Sequence, residues 1–293
     1  MSVLGLSTSY CAAKGLSIYD SVLKITDLGF TTVEFGAAHV FEAGVWGTLK
    51  KIRKEFPDIN CSIHTLFPPH ENKVWFNPAD GLTDLNRLVI DNLFASAEIL
   101  HAMWVSIHPA IINEIRLEGK EISNFDKPLV GRLRDKGLCK EKFLELMDYV
   151  EAKSKKNDLR VLIENTIPTL VIPYPCSADE FSCVFNKFPH TGLLLDIGHA
   201  LVSGQLQELM GLDDRIWQLH LHDRHLERGY IGHQAIKDIE YFVKIEKLLL
   251  KSIPVIFEHG ADIADQEILK EKNLLEYFLE INEERVVQGV KNG

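Results

Sequence analysis

A single-domain (β/α)8 barrel, an α/β fold, is the architecture this sequence predicts, and three observations carry the prediction. The first is a recurring punctuation: six short apolar runs end abruptly in a histidine or a carboxylate, at His64, His108, Glu164, Asp196, His220 and Glu258. Nearly continuous apolar runs suit strands buried on both faces, as in a parallel sheet. The second is an alternation of strand-like and helix-like segments from end to end, the pattern of βα units. The third is length, because 293 residues accommodate a barrel of about 250 residues as one domain. No low-complexity tract, Ser/Gly linker or single-sign charge run marks a boundary, so the domain is expected to span residues 1–293. A doubly wound open sheet is the alternative, but no G-x-G-x-x-G follows the first strand.

The elements are justified in order. Strand one is expected at Val3 to Ser7, before a helix over Ser17 to Leu28 with Val22, Leu23, Ile25 and Leu28 at helical spacing. Strand two is Thr31 to Phe35, and Phe41 to Phe56 again has helical spacing. Strand three ends at His64; a loop rich in Pro, His and Asn then leads to a helix over Asp84 to His101 and strand four, ending at His108. The stretch from Pro109 to Lys136 is long and mixed, so it is expected to be functional or to carry short helices of its own. A helix over Glu141 to Lys156 precedes strand five, Arg160 to Glu164. Ser177 and Glu180 form a capping box that opens the next helix. Strands six, seven and eight end at Asp196, His220 and Glu258, with helical patterns over Ile239 to Leu250 and Gln266 to Ile281.

Composition bounds the class. Hydrophobic content of 46% and charged content of 25% are those of a soluble globular protein. No run approaches the roughly 18 apolar residues that span a bilayer, and the N-terminus lacks a basic n-region, so neither membrane nor signal peptide is expected. Five cysteines without C-x-x-C spacing argue for reduced thiols and a cytoplasmic location rather than a disulfide framework. A net charge of −10 opposes attraction to polyphosphate and weighs against nucleic acid as a partner.

The chemistry follows from where the strands end. Placed at one rim of a parallel barrel, where active sites sit, Glu164, Asp196 and Glu258 would be three carboxylates among aliphatic side chains. Unpaired, such charges cost several kcal/mol each and repel one another. A divalent cation resolves both problems, and arginine partners are the bland alternative. With His220 the set is two Glu, one Asp and one His, suited to Mn²⁺, Mg²⁺, Co²⁺ or Zn²⁺.

His64 and His108 share a Ser-Ile-His ending on consecutive strands, and Gly198 allows a turn that returns His199 to the rim. Alternation puts His220 and His222 on one face, with Asp223 and His225 in the following loop. His222 itself is expected to be a solvated loop residue. Glu34 and Asn165 are candidates for orienting ligands or contacting substrate. Asn77, His70, Arg224 and Arg228 are loop candidates for substrate contact, and Trp75, Phe67 and Trp104 for shielding the site. His39, His101, His190, His233 and His259 carry no expectation.

Together the segments Ser62-Ile63-His64, Ser106-Ile107-His108-Pro109, Leu162-Ile163-Glu164-Asn165-Thr166, Leu195-Asp196-Ile197-Gly198-His199-Ala200, His220-Leu221-His222-Asp223 and Ile256-Phe257-Glu258 resemble the xylose isomerase-like (β/α)8 superfamily. That superfamily includes sugar isomerases and epimerases, inosose dehydratases and the endonuclease IV group. The resemblance implies Glu164, Asp196, His220 and Glu258 as ligands of a shared metal. In the epimerase branch, Glu164 and Glu258 are also the acid/base pair working through an enediolate, with His199 near the substrate. In the nuclease branch, His64, His108, His199 and an Asp-x-His pair hold further zinc ions in a trinuclear cluster, and Asp223-Arg224-His225 is spelled like that pair. Asp223 follows His220 more closely than in the nuclease pattern, and Asn165-Thr166-Ile167-Pro168 replaces its glycine-rich stretch.

The expected function is thus a metal-dependent sugar or polyol isomerase/epimerase with one divalent ion, acting on a small carbohydrate-like molecule as a possible homo-oligomer. The alternatives are a hydrolase of phosphodiesters with two or three zinc ions, and a barrel that binds a sugar without turnover.

Overall fold

The sheet closes on itself. Eight parallel strands, β1 (Leu4–Ser7), β2 (Thr32–Phe35), β3 (Asn60–His64), β4 (Trp104–Ile107), β5 (Arg160–Glu164), β6 (Thr191–Asp196), β7 (Ile216–Leu221) and β8 (Val255–Phe257), run round a barrel in sequence order. Closure is made by β1 and β8, with Leu4 opposite Val255 and Leu6 opposite Phe257. The open-sheet alternative is therefore excluded. The computed structural model describes residues 3–36, 38–72, 74–116, 129–168, 171–227 and 230–291; the side chains of 116, 129, 224–227, 230–232 and 283–291 lie outside that description.

The apolar runs read as buried on both faces because each strand feeds two different interiors. Val161, Ile163, Leu193, Leu195, Val255 and Phe257 belong to the large core that includes helix residues such as Phe143, Phe181 and Leu275. Their neighbours Leu162 and Leu194 join Trp104 in a separate apolar cluster, packed against Met103 and Trp217. Strand alternation puts Leu162 on the face of Glu164, and Leu194 on that of Asp196, so this cluster plugs the barrel beneath those carboxylates.

Every predicted strand ends within one residue of the observed one, and the helix after Ser177 carries its expected cap. Ser17 Oγ accepts from the Asp20 amide at 3.1 Å, and Ser177 Oγ from the Glu180 amide at 3.3 Å. The return bond of the capping box goes one residue earlier than expected, from the Cys176 amide to Glu180 Oε2 at 3.0 Å. The helix expected over Phe41 to Phe56 spans only Val45–Glu55, and the pattern over Ile239 to Leu250 splits into Glu240–Val243 and Glu246–Leu249.

Two loop expectations change. The long stretch after β4 holds no helix among its described residues before Lys136; Asn113–Arg116 and Leu129–Leu133 form an antiparallel pair, and residues 117–128 lie outside the description. After β7 the chain does not wander as a loop: Asp223–Glu227 pairs antiparallel with Tyr230–Gln234, with His225 opposite Gly232 and Arg224 opposite His233. Among the described residues no helix is long and apolar enough to cross a membrane. All five cysteines are free thiols.

Candidate metal centre

At the C-terminal rim, one ligand atom each from Glu164, Asp196, His220 and Glu258 lie within 4.8 Å of one another. β5, β6 and β7 are adjacent and β8 follows, so four consecutive strand ends supply the four groups. Asp196 and His220 are fully buried, Glu164 is 2% exposed, and the Glu258 side chain is 16% exposed, which makes it the member open to solvent.

His220 is held from below. Its Nε2 lies 2.9 Å from Glu34 Oε2, and the Gln218 amide donates to the same oxygen at 2.6 Å. The Trp104 indole N–H in turn donates to Gln218 Oε1, so a polar string runs up the barrel interior from the start of β4. With Nε2–H bonded to Glu34, Nδ1 of His220 presents a lone pair toward Glu164 Oε1 at 3.6 Å and Glu258 Oε2 at 3.3 Å. That is a lone pair facing two anions, tolerable only if a proton or a metal ion lies between them.

The surrounding charge has the same character. Among the described residues, the ion-pair partners of Glu34, Glu164, Asp196 and Glu258 are all histidines, never Lys or Arg. Among the described residues the arginine alternative is thus not realised. Burial pushes the Glu164 carboxyl up, but the nearby imidazoles of His108, His220 and His64 outweigh it and hold the group well below the usual carboxylate range. Burial pushes the His220 imidazole down, and Glu34 and Glu258 outweigh that to hold it well above 6.5. Glu34 Oε1, Glu164 Oε2 and His220 Nδ1 are buried without a hydrogen-bond partner. Three clustered carboxylates, Glu164 among them with an orphaned oxygen, and one oriented imidazole fit a hard divalent ion.

Two further groups adjoin the first. His64 Nε2 and His108 Nε2 lie 3.2 Å apart, and 3.4 and 3.2 Å from Glu164 Oε2. The Ser106 hydroxyl fixes His64 Nδ1 at 2.7 Å, which aims Nε2 at this point. Glu164 is therefore common to both groups. The third group is His199, His222 and His233.

His222 corrects the sequence reading. It is fully buried, its Nε2 lies 3.1 Å from both oxygens of Asp196, and its ring stacks on His233 at 3.9 Å and 5°. The alternation that aligned it with His220 was the signal; the density of polar residues after it obscured that signal. His233 left no signal, because it arrives on the return strand of a hairpin that the sequence does not announce. Asp223 joins none of the three groups formed by described residues, and its backbone carbonyl meets His222 Nδ1 at 2.9 Å. The side chains of Arg224 and His225, and residue Arg228 entirely, lie outside the described residues.

Other candidates take positioning tasks. Asn165, a candidate for orienting ligands or contacting substrate, bonds the Asp196 backbone twice, from Nδ2 to the carbonyl at 3.0 Å and from the Asp196 amide to Oδ1 at 2.7 Å. It thereby locks the ends of β5 and β6 together. Glu34 is fully buried beneath His220 rather than at the substrate surface. Asn77 ties its loop to both the amide and the carbonyl of Ile111. Trp104 lies at the far end of β4 and shields nothing at the rim. Asp196 Oδ1 caps the helix Ile197–Ser203 by accepting from the His199 amide at 2.7 Å. His259, next to Glu258, pairs with buried Glu271 at 2.6 Å.

No protein-family profile and no curated protein matches the sequence. Solved structures do. A D-tagatose 3-epimerase-like protein superposes with a TM-score of 0.70 at 18% identity, covering 98% of this chain and 100% of the other. A xylose isomerase domain-containing protein from Salmonella typhimurium gives 0.63 at 14% identity, with 95% and 97% covered. Endonuclease IV from Thermus thermophilus gives 0.57 at 17% identity, with 94% and 98% covered. The chain has the fold of the xylose isomerase-like TIM barrels, whose solved neighbours are mostly enzymes.

Proposed function

We propose that this protein is a metal-dependent isomerase or epimerase of a small carbohydrate-like substrate. The observation that carries the reading is the placement of Glu164 and Glu258. They come from strands separated by two others, and both approach His220 Nδ1, so two carboxylates face one another across one ligand position. Glu164, Asp196, His220 and Glu258 are the residues to hold the ion. A divalent ion bound there supplies Lewis acidity to a carbonyl oxygen and its neighbouring hydroxyl.

The rest belongs to the chain. One carboxylate oxygen takes the proton from the carbon α to the carbonyl, and the other glutamate returns a proton from the opposite side or to the adjacent carbon. Glu258, the more exposed, is placed to exchange its proton with solvent, whereas Glu164 is enclosed by His64, His108, His199 and His220. Incubating manganese-loaded protein with a panel of ketoses and inososes in D₂O tests this. Deuterium appearing at the α carbon by NMR, and lost in Glu258→Gln, supports the reading; no exchange with any substrate counts against it.

A second reading has its own observation. The convergence of His64 and His108 on Glu164 Oε2 gives a second group of residues that would hold a further ion beside the first, as a multinuclear zinc hydrolase acting on phosphodiesters would need. Cleavage of bis(p-nitrophenyl) phosphate by zinc-loaded protein, abolished in His108→Asn, would favour it. Ligand binding without either reaction would favour a non-catalytic barrel.

A further inference from the structure

We propose that Gln218 and Trp104 are positioning residues for His220, acting on it from the floor of the barrel through Glu34. The proposal rests on a divalent ion held by Glu164, Asp196, His220 and Glu258, and it holds whichever reaction that ion serves.

Gln218 spans the bore. It sits on β7 two residues before His220, so both side chains share the inward face. Its amide meets Trp104 on β4, beyond β5 and β6, and Glu34 on β2, beyond β8 and β1. Gln218 and Glu34 are fully buried, and Trp104 packs with Leu162 and Leu194.

The direction of each bond is forced. An indole N–H only donates, so the Gln218 amide must turn its oxygen toward Trp104. The amide nitrogen then faces Glu34 Oε2 at 2.6 Å and donates to it. A reversed amide would set N–H against N–H and a carbonyl against a carboxylate. Both contacts would leave buried polar groups unpaired, which an interior of this kind penalises most.

Glu34 is gripped at one oxygen. Its Oε2 accepts from Gln218 and lies 2.9 Å from His220 Nε2, whereas Oε1 is buried without a hydrogen-bond partner. The Gln218 amide therefore keeps the carboxylate from turning to relieve Oε1. A turned Glu34 would move the atom that braces His220. Nδ1 would then lose its aim at the ligand position, where Glu164 and Glu258 lie 3.6 and 3.3 Å away. Trp104 acts one step further back, by fixing the amide.

Full-length protein stripped with chelator is titrated with Co²⁺ against a chromophoric chelator, and its visible absorption is recorded. Gln218→Met keeps the length of the side chain and removes both bonds. Its cobalt affinity is expected to fall about tenfold, the low end for an outer partner of a ligating histidine. Trp104→Phe removes one hydrogen bond, expected to weaken cobalt about two- to tenfold, and serves if Gln218→Met does not fold. In the double variant the affinity should match that of Gln218→Met alone, because the indole acts only through the amide. The cobalt absorption bands are expected to shift in each variant, which a loss of stability alone would not cause. Folded variants with wild-type affinity and wild-type bands overturn the proposal. So does a Trp104→Phe effect that persists in full in the Gln218→Met background. Wild type that binds no cobalt overturns the metal centre itself, and this proposal with it.

Discussion

Glu34 and His220 meet across the barrel interior at 2.9 Å, although their strands are separated by β1 and β8. The bond fixes which nitrogen of His220 points at the ligand position. Replacing Glu34 by Ala is therefore expected to weaken metal binding about 10- to 100-fold, the usual effect of removing an outer partner of a ligating histidine. Competition against a chromophoric chelator measures it. Unchanged affinity would mean that His220 is oriented by packing alone.

Gly198→Ala is expected to displace His222 rather than merely crowd a helix. The added methyl would lie 2.1 Å from His222 Cε1, so the ring must move to admit it. Overpacking of this kind costs about 1–3 kcal/mol, which thermal unfolding resolves. A variant as stable as wild type would show that the ring has room to move.

Removing metal is expected to lower the unfolding temperature sharply. Among the described residues, the four carboxylates at or beneath the rim have only histidine for charge balance, so the apo protein holds them against their mutual repulsion. Ligand at about 1,000 times Kd stabilises by about 4 kcal/mol, and re-addition after chelation should restore the full shift. Identical melting curves with and without chelator would argue against any bound ion.

His39 gives an acid-sensitivity that is separate from the centre. It is 2% exposed, packs edge-on to Phe67, and burial pushes its pKa from 6.5 down to about 4. The unfolded chain binds a proton near pH 6.5 and the folded chain only near 4. Stability from this group is thus full above pH 6.5 and falls as pH drops toward 4. The loss approaches about 3 kcal/mol, at about 1.4 kcal/mol per pKa unit. Urea unfolding of His39→Leu should show a flatter profile over that range; an unchanged profile would assign the sensitivity elsewhere.

The barrel was legible because its strands announce themselves twice, by apolar runs and by the polar residue closing each one. Glu164, Asp196, His220 and Glu258 were readable for the same reason, since each is the terminal residue of a run or lies within one residue of the strand end. The hairpin Asp223–Glu227 with Tyr230–Gln234 was not, because charged residues and histidines hide its alternation. Its register decides that His233 rather than a nearer neighbour reaches His222, and register is a property of pairing that local composition does not contain. Asn165 and Glu34 were found as candidates for orienting ligands or contacting substrate, and their hydrogen bonds to Asp196 and His220 fit the first of the two. A buried side chain that orients a ligand and one that touches substrate leave the same trace in a sequence.

Glu164 stands in two candidate ligand groups at once, with one oxygen turned to His220 and the other to His64 and His108. Substitutions on either side of it are consequently not independent events. A change at His108 alters the carboxylate that Asp196 and His220 depend on, so mutational effects across the rim should combine epistatically rather than add. The same dependence constrains divergence: a lineage can vary its loops residue by residue, but it must exchange the groups around Glu164 together or not at all.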